Sequence, residues 1–276
     1  MNERTYIRKV LKQTSIRLNK KLGQTFLIDD GIAEKIVESA HIKKDDVCLE
    51  IGAGFGVLTQ KIARRAKKVI AVEIDRRIFE ILKKRLKCSQ NLTLLNDDIL
   101  KLGLEEIFQK YGKVKIVSNL PYSITTPVIA YLIRNREFID GCILTMQKEV
   151  AERLVARPGT KAYGALTVKV KYFIETHPLF YIPKDRFLPS PEVDSATVNL
   201  EFLDKPRVSV ICEDLFFKVI DLSFQQRRKM LKNCIFISKK DASQLPIDLR
   251  RRGETLSVEE FAKLANGLTK IGITFL

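Results

Sequence analysis

Asn119-Leu120-Pro121-Tyr122 is a set of side chains suited to holding a planar amino group against an aromatic ring. An exocyclic amine on a purine is a weak nucleophile because its lone pair is delocalised into the ring. Two acceptors, the Asn119 amide oxygen and the Leu120 carbonyl, can take both N–H hydrogens and favour a pyramidal nitrogen with its lone pair free. Tyr122 supplies a ring on which the base can stack. Four such residues are equally compatible with a strand followed by a proline turn, so their meaning depends on what surrounds them.

A second constellation lies upstream. Glu50-Ile51-Gly52-Ala53-Gly54-Phe55-Gly56 follows the apolar run Val47–Ile51, a predicted strand, and opens a helical segment. Glycines there let the backbone approach a ligand. The spacing is GxGxG, and an acid precedes it, which would repel a pyrophosphate. A nucleoside cofactor that carries positive charge, such as S-adenosylmethionine, suits an acid better. Glu73 ends the next predicted strand, 21 residues after Gly52, where a carboxylate can accept from both ribose hydroxyls. Asp98, after a third strand, is placed to accept from an adenine amino group. With Asn119 these groups fall at the ends of four successive strands and converge on one crevice, the pattern expected of a methyltransferase site.

The elements that must position them are legible as alternating periods. Predicted strands at Val47–Ile51, Val69–Ile74, Leu92–Leu95, Lys115–Ser118, Cys142–Met146 and Ala196–Phe202 are separated by helical patterns at Val57–Ala66, Arg76–Leu86 and Pro127–Ile133. Such alternation predicts an α/β fold, a doubly wound Rossmann-like parallel sheet. Beyond Pro206 the period becomes helical, with Leu215, Phe216, Val219, Ile220 and Leu222 on one face. The expected organisation is a Rossmann-like domain over residues 1–204 with a basic N-terminal extension, then a small helical domain over 205–276.

The chain of 276 residues has a net charge of +16, a field that attracts polyanions. Residues 1–21 carry a net +6 and residues 227–252 a net +7, so both ends are basic. Arg227, Arg228 and Lys229 are the candidate RNA contacts. The Arg-containing, acid-poor start reads first as an RNA-contacting extension, and also has the composition of a mitochondrial transit peptide. No apolar run reaches membrane-spanning length and no signal-peptide core follows the N-terminus, which leads to the expectation of a cytoplasmic protein. The five cysteines lack metal-ligand spacing and there are two histidines, so no metal centre and no histidine triad is expected.

Lys21–Leu27 (KLGQTFL), the GxGxG loop, Asn119–Tyr122, Phe187–Ser195 (FLPSPEVDS) and Gln226–Lys229 together resemble the small-subunit ribosomal RNA adenine dimethyltransferases, the KsgA/Dim1 family, over nearly the whole chain. The resemblance implies transfer of four methyl groups from S-adenosylmethionine to N6 of two adjacent adenines near the 3′ end of small-subunit rRNA, during ribosome biogenesis. It implies that Thr25, Leu27, Gly52 and Gly54 lie against the cofactor, that Glu73 holds its ribose and Asp98 its adenine. Asn119 would face cofactor and target base, with Leu120, Pro121 and Tyr122 completing the catalytic loop. The chain departs from the family at Thr25, usually Asn, and at Ser123, usually Asn or Gln. A monomer bound to a pre-ribosomal subunit is expected. Two alternatives share the fold: a large-subunit rRNA adenine methyltransferase, and a non-catalytic nucleic-acid-binding factor.

Overall fold

The computed structural model describes residues 2–14, 16, 18–19, 22–235 and 237–273; Arg17, Lys20 and Lys21 of the basic start lie outside them. Nine strands form among these residues: β1 Phe26–Leu27, β2 Val47–Ile51, β3 Lys68–Val72, β4 Leu92–Leu95, β5 Val114–Asn119, β6 Ile139–Gln147, β7 Ile174–Ile182, β8 Phe187–Leu188 and β9 Ser195–Phe202. Seven make one sheet in the order β4-β3-β2-β5-β6-β9-β7. The first five of that order run parallel, and β9 is antiparallel to β6. The mixed direction differs from an all-parallel expectation. β9 is entered from β7 by a short segment without a crossover helix, which reverses the chain.

The strands are apolar because helices cover them. Every residue of β2 is buried, and β3 is buried from its second residue on. Side-chain caps fix where two of the flanking helices begin: Asp29 accepts from Ile32 N at the helix Asp30–Ser39, and Asp75 from Arg77 N at the helix Arg76–Arg85. The strand order reverses between β2 and β5, which opens a crevice at their C-terminal ends. There Ile51 N donates to Ser118 Oγ at 2.8 Å, tying the two strand ends together in the core.

β7 is the strand that the sequence conceals. Its residues IETHPLFYI contain a proline and a histidine, and most of its middle is exposed, as fits a sheet edge. β1 and β8 form a separate antiparallel pair, Phe26 opposite Leu188 and Leu27 opposite Phe187, so two motifs distant in sequence become one ribbon.

The chain divides into two compact units. One comprises the chain up to Ala151 with His177–Phe202, and the other Glu152–Thr176 with the chain from Leu203 onward. A linear boundary at 204/205 therefore omits the segment 152–176 from the second unit. That segment belongs there because Tyr172 and Phe173 stack on Phe216 and Phe217 of the helix Glu213–Gln225, and Tyr163 Oη donates to Leu256 O at 2.7 Å. The helix Val258–Lys270 adds Phe261, packed on Phe224, and starts at a Ser257–Glu260 capping box.

Candidate active site

The crevice at the switch point is a cavity of about 300 Å3, large enough for a nucleoside-sized ligand. Thr25, Leu27, Gly52, Gly54, Glu73, Asp98, Asn119 and Pro121 all line it. Leu120 and Tyr122 do not. Leu120 is fully buried and its N–H donates to Thr145 O at 2.9 Å, anchoring the Asn-Leu-Pro-Tyr loop on β6. Pro121 O accepts from Ile124 N and starts a short turn that carries Tyr122 beside the cavity.

Two glycines explain how the loops interlock. Gly52 has φ +71°, and a side chain there would sit 3.0 Å from the Pro121 ring. Gly23 has φ +62°, and a Cβ would come within 2.7 Å of Ser123 N. Both positions need an absent side chain as well as a left-handed backbone. The loop after β2, the N-terminal motif and the loop after β5 thus touch through bare backbone. Gln24 extends this junction: its Oε1 accepts from Asn19 N at 2.7 Å and its Nε2 donates to Asp75 Oδ2 at 2.9 Å.

Asn119 is held at the end of β5. Its Nδ2 lies 3.3 Å from Thr25 O, and a carbonyl oxygen can only accept, so this fixes which amide atom faces it. Oδ1 is left buried without a hydrogen-bond partner among the described residues. A buried acceptor lacking a partner costs roughly 1–3 kcal/mol. Such an atom marks where a donor is to arrive.

Tyr122 is fixed by its hydroxyl, which lies 2.5 Å from Ser195 Oγ at the first residue of β9; Ser195 is fully buried. Burial pushes the Tyr122 phenol above its ordinary pKa, with the Ser195 bond opposing. Ser195 belongs to the FLPSPEVDS segment, and the structure supplies the partner that the motif alone does not name.

The electrostatics are acidic. Glu50, Glu73, Asp97 and Asp98 line the cavity and, among the described residues, no Lys, Arg or His does. Glu73 is nearly buried. Its Oε2 accepts from Gly54 N and its Oε1 from Asp75 N, both at 2.9 Å, so it holds the glycine loop in place as well as facing the cavity. Burial raises its pKa, and these two N–H groups oppose the rise. Glu50 is the acid that sequence reasoning noted but did not assign. Burial pushes it up to about 8, opposed by the Thr59 hydroxyl, which donates at 2.5 Å, and reinforced by the nearby Glu73. Asp75 shows the reverse: Arg77 and Gln24 hold it down at about 2. Asp98 spends Oδ1 on Leu100 N at 3.0 Å and keeps its second oxygen.

The basic triplet splits. Arg227 donates to Lys161 O at 3.1 Å and Tyr163 O at 2.8 Å and pairs with Glu254, so it braces its own unit. Arg228 and Lys229 are exposed.

A switch-point cavity lined by glycines, acids and an amide with a spare acceptor defines a Rossmann-like methyltransferase that uses S-adenosylmethionine. The residues fit that group: acids line a cavity that would take a cofactor with cationic centres, and among the described residues no cation lines it to hold a phosphate. The profile of the ribosomal RNA adenine dimethylase family matches residues 15–270, and the chain belongs to that family. It is 41% identical over 274 residues, 94% of each chain, to "Ribosomal RNA small subunit methyltransferase A" of Bacillus cytotoxicus. It is 42% identical to the protein of that name from Geobacillus thermodenitrificans, over 95% of this chain and 94% of the other. Among solved structures, a dimethyladenosine transferase from Plasmodium falciparum superposes with a TM-score of 0.75 at 29% identity, covering 91% of this chain and all of that one. The 23S rRNA methyltransferase ErmE shares the fold, with a TM-score of 0.66 at 22% identity over 88% of this chain and 99% of the other.

Proposed function

We propose that this protein dimethylates N6 of two adjacent adenines near the 3′ end of small-subunit rRNA, within a pre-ribosomal subunit and in the cytoplasm, acting as a monomer. The single observation that best supports the chemistry is the buried Asn119 Oδ1 without a partner, beside Thr25 and opposite the glycine loop. The names of the 41–42% identical relatives support the small subunit as substrate. The likeness to ErmE extends to the fold alone, and the retained acids and Asn119–Tyr122 loop speak against a purely non-catalytic role.

The cofactor, when bound, supplies an electrophilic methyl group. Thr25, Leu27, Gly52 and Gly54 would form its walls, Glu73 would accept from its ribose and Asp98 from its adenine. Asn119 Oδ1 accepts an N6–H of the target base, which withdraws the nitrogen lone pair from the ring and leaves it available for attack. The Tyr122 ring, locked by Ser195, offers the stacking face for that base. Arg228 and Lys229, exposed on the second unit, would contact RNA phosphates.

Mass spectrometry of small-subunit rRNA from cells with and without the gene tests this directly. The dimethyladenosine pair is expected to vanish on deletion and to return with the wild-type gene but not with Asn119→Ala. Its persistence in the deletion strain would refute the proposal.

A further inference from the structure

The N-terminal helix Glu3–Thr14 has two faces with different uses. It is capped by Asn2, whose Oδ1 accepts from Thr5 N at 2.9 Å. One face is spent on the protein: Ile7 is fully buried, and Tyr6, Val10 and Leu11 pack on the core. The opposite face presents Arg4, Arg8 and Lys12, each exposed and spaced four residues apart, with exposed Lys9 beside them. That spacing places the three on one stripe, about 6 Å apart along the axis.

The sole acid of the helix, Glu3, is turned inward. Both its oxygens bond Arg85, at 2.5 and 3.0 Å, and both side chains are 13% exposed. The same Arg85 donates from Nη1 to Phe55 O at 2.8 Å, and its guanidinium stacks over the Tyr6 ring at 4.1 Å. Phe55 is in the glycine loop and lines the cofactor cavity, with its ring against Phe26. The helix is therefore bolted, through one guanidinium, to the backbone of the loop that faces the cofactor. Because its apolar face is already covered by protein, it has none left to lay on a lipid surface, and a stripe of cations with no exposed acid on the helix fits a phosphate backbone.

We propose that the helix Glu3–Thr14 is a strap that binds RNA phosphates through Arg4, Arg8 and Lys12 and transmits that engagement to the cofactor loop through Glu3 and Arg85. Arg85 is then a positioning residue, acting on the cofactor only through Phe55. The coupling rests on the methyltransferase function proposed above, and linkage makes it reciprocal: RNA strengthens cofactor binding by the factor by which cofactor strengthens RNA binding.

The test uses the full chain, S-adenosylmethionine, and small subunits lacking the methylated adenines. The triple variant Arg4→Ala/Arg8→Ala/Lys12→Ala is expected to keep its cofactor affinity without RNA, while the salt slope of log K for subunits becomes shallower by about 0.7 per lost contact. A wild-type slope would overturn the phosphate-binding face. Arg85→Met is expected to weaken cofactor binding about tenfold without RNA, the scale of one charge-assisted bond. Glu3→Gln, which leaves the Arg85 side chain in place, should shift it in the same direction by less, and decides the matter should Arg85→Met melt early. Wild-type cofactor affinity in Glu3→Gln and in any folded Arg85→Met would overturn the relay. In the wild type, subunits should raise cofactor affinity and Glu3→Gln should abolish the rise; equal affinity with and without subunits would overturn the coupling. If the wild type bound no S-adenosylmethionine at all, the proposed function would fail, while the salt-slope result would still stand or fall by itself.

Discussion

Asn119→Ala separates catalysis from stability more cleanly than any other change in this site. The substitution breaks one long hydrogen bond, Nδ2 to Thr25 O at 3.3 Å, which at ordinary net values contributes about 0.5–1.5 kcal/mol and at that length sits toward the lower end. Against this, it removes the buried Oδ1 that has no partner, an atom whose burial costs roughly 1–3 kcal/mol. The two oppose each other, and by these magnitudes the variant should be no less stable than the wild type and more stable by up to about 2 kcal/mol, a shift of roughly 4–8 °C at most for a unit of this size. The rate should respond quite differently. Removal of a preorganised hydrogen-bonding group at the reacting atom typically slows the chemical step by about 10²–10³. Differential scanning calorimetry gives the first quantity, and single-turnover methylation of unmethylated small subunits at saturating cofactor gives the second. A wild-type single-turnover rate would refute the acceptor role of Asn119. A loss of 10 °C with a proportional loss of rate would assign the residue to scaffolding.

Four further outcomes follow from the same geometry. Glu73→Ala should reduce S-adenosylmethionine affinity in calorimetric titration by about 10–150-fold and also lower the melting temperature, because Gly54 N and Asp75 N both lose their acceptor; unchanged affinity removes Glu73 from the site. Tyr122→Phe should keep the stacking face but leave Ser195 Oγ buried without its partner, so it should lose stability in a melt while retaining most activity, whereas Tyr122→Ala should forfeit about 1–3 kcal/mol of base binding. Arg228→Glu/Lys229→Glu should weaken subunit binding and flatten its salt dependence without a change in melting temperature, while Arg227→Glu should destabilise the protein in the same melt through its bonds to Lys161 and Tyr163. Glu50, raised to about 8, is protonated in the folded chain where it is ionised unfolded; its contribution to stability should decline from about pH 4.5 upward and level off above about 8, at no more than about 1.4 kcal/mol per pH unit, a slope that Glu50→Gln should remove from pH-dependent denaturant titrations.

Local chemistry made much of this molecule legible before its fold was known. Six strands and the glycine loop follow from apolar runs and from residues whose backbone demands are strong, and the carboxylates and Asn119 follow from being at the ends of those strands. What was hidden depends on contacts between distant segments. Nothing around Ser195 says that its hydroxyl meets Tyr122, 73 residues earlier. Nothing around Gly23 says that Ser123 will fill the space over it. β7 was hidden because an edge strand is half exposed and so loses the apolar signature of its neighbours. The segment 152–176 was hidden for a related reason. It is followed in sequence by strands of the other unit, and only the aromatic stack of Tyr172 and Phe173 on Phe216 and Phe217 shows where it belongs.

Glu73 shows why a residue's function and its structural role are hard to separate from sequence. Its position at the end of β3 fits a ribose acceptor, and the structure adds that one oxygen already holds the Gly54 N–H of the glycine loop that walls the cavity and the other the Asp75 N–H of its own loop. A carboxylate oxygen has two acceptor sites, so holding the loop does not exhaust it. One buried acid can then shape the cavity before the cofactor arrives and bond the cofactor afterwards, with its orientation already set. Arg85 does the equivalent from outside, through Phe55 O. Preorganisation of this kind puts the loop geometry under the control of residues that never touch the ligand. The GxGxG spacing describes that loop's freedom to bend, and its actual conformation is fixed by Glu73 on one side and by Arg85 with Glu3 on the other.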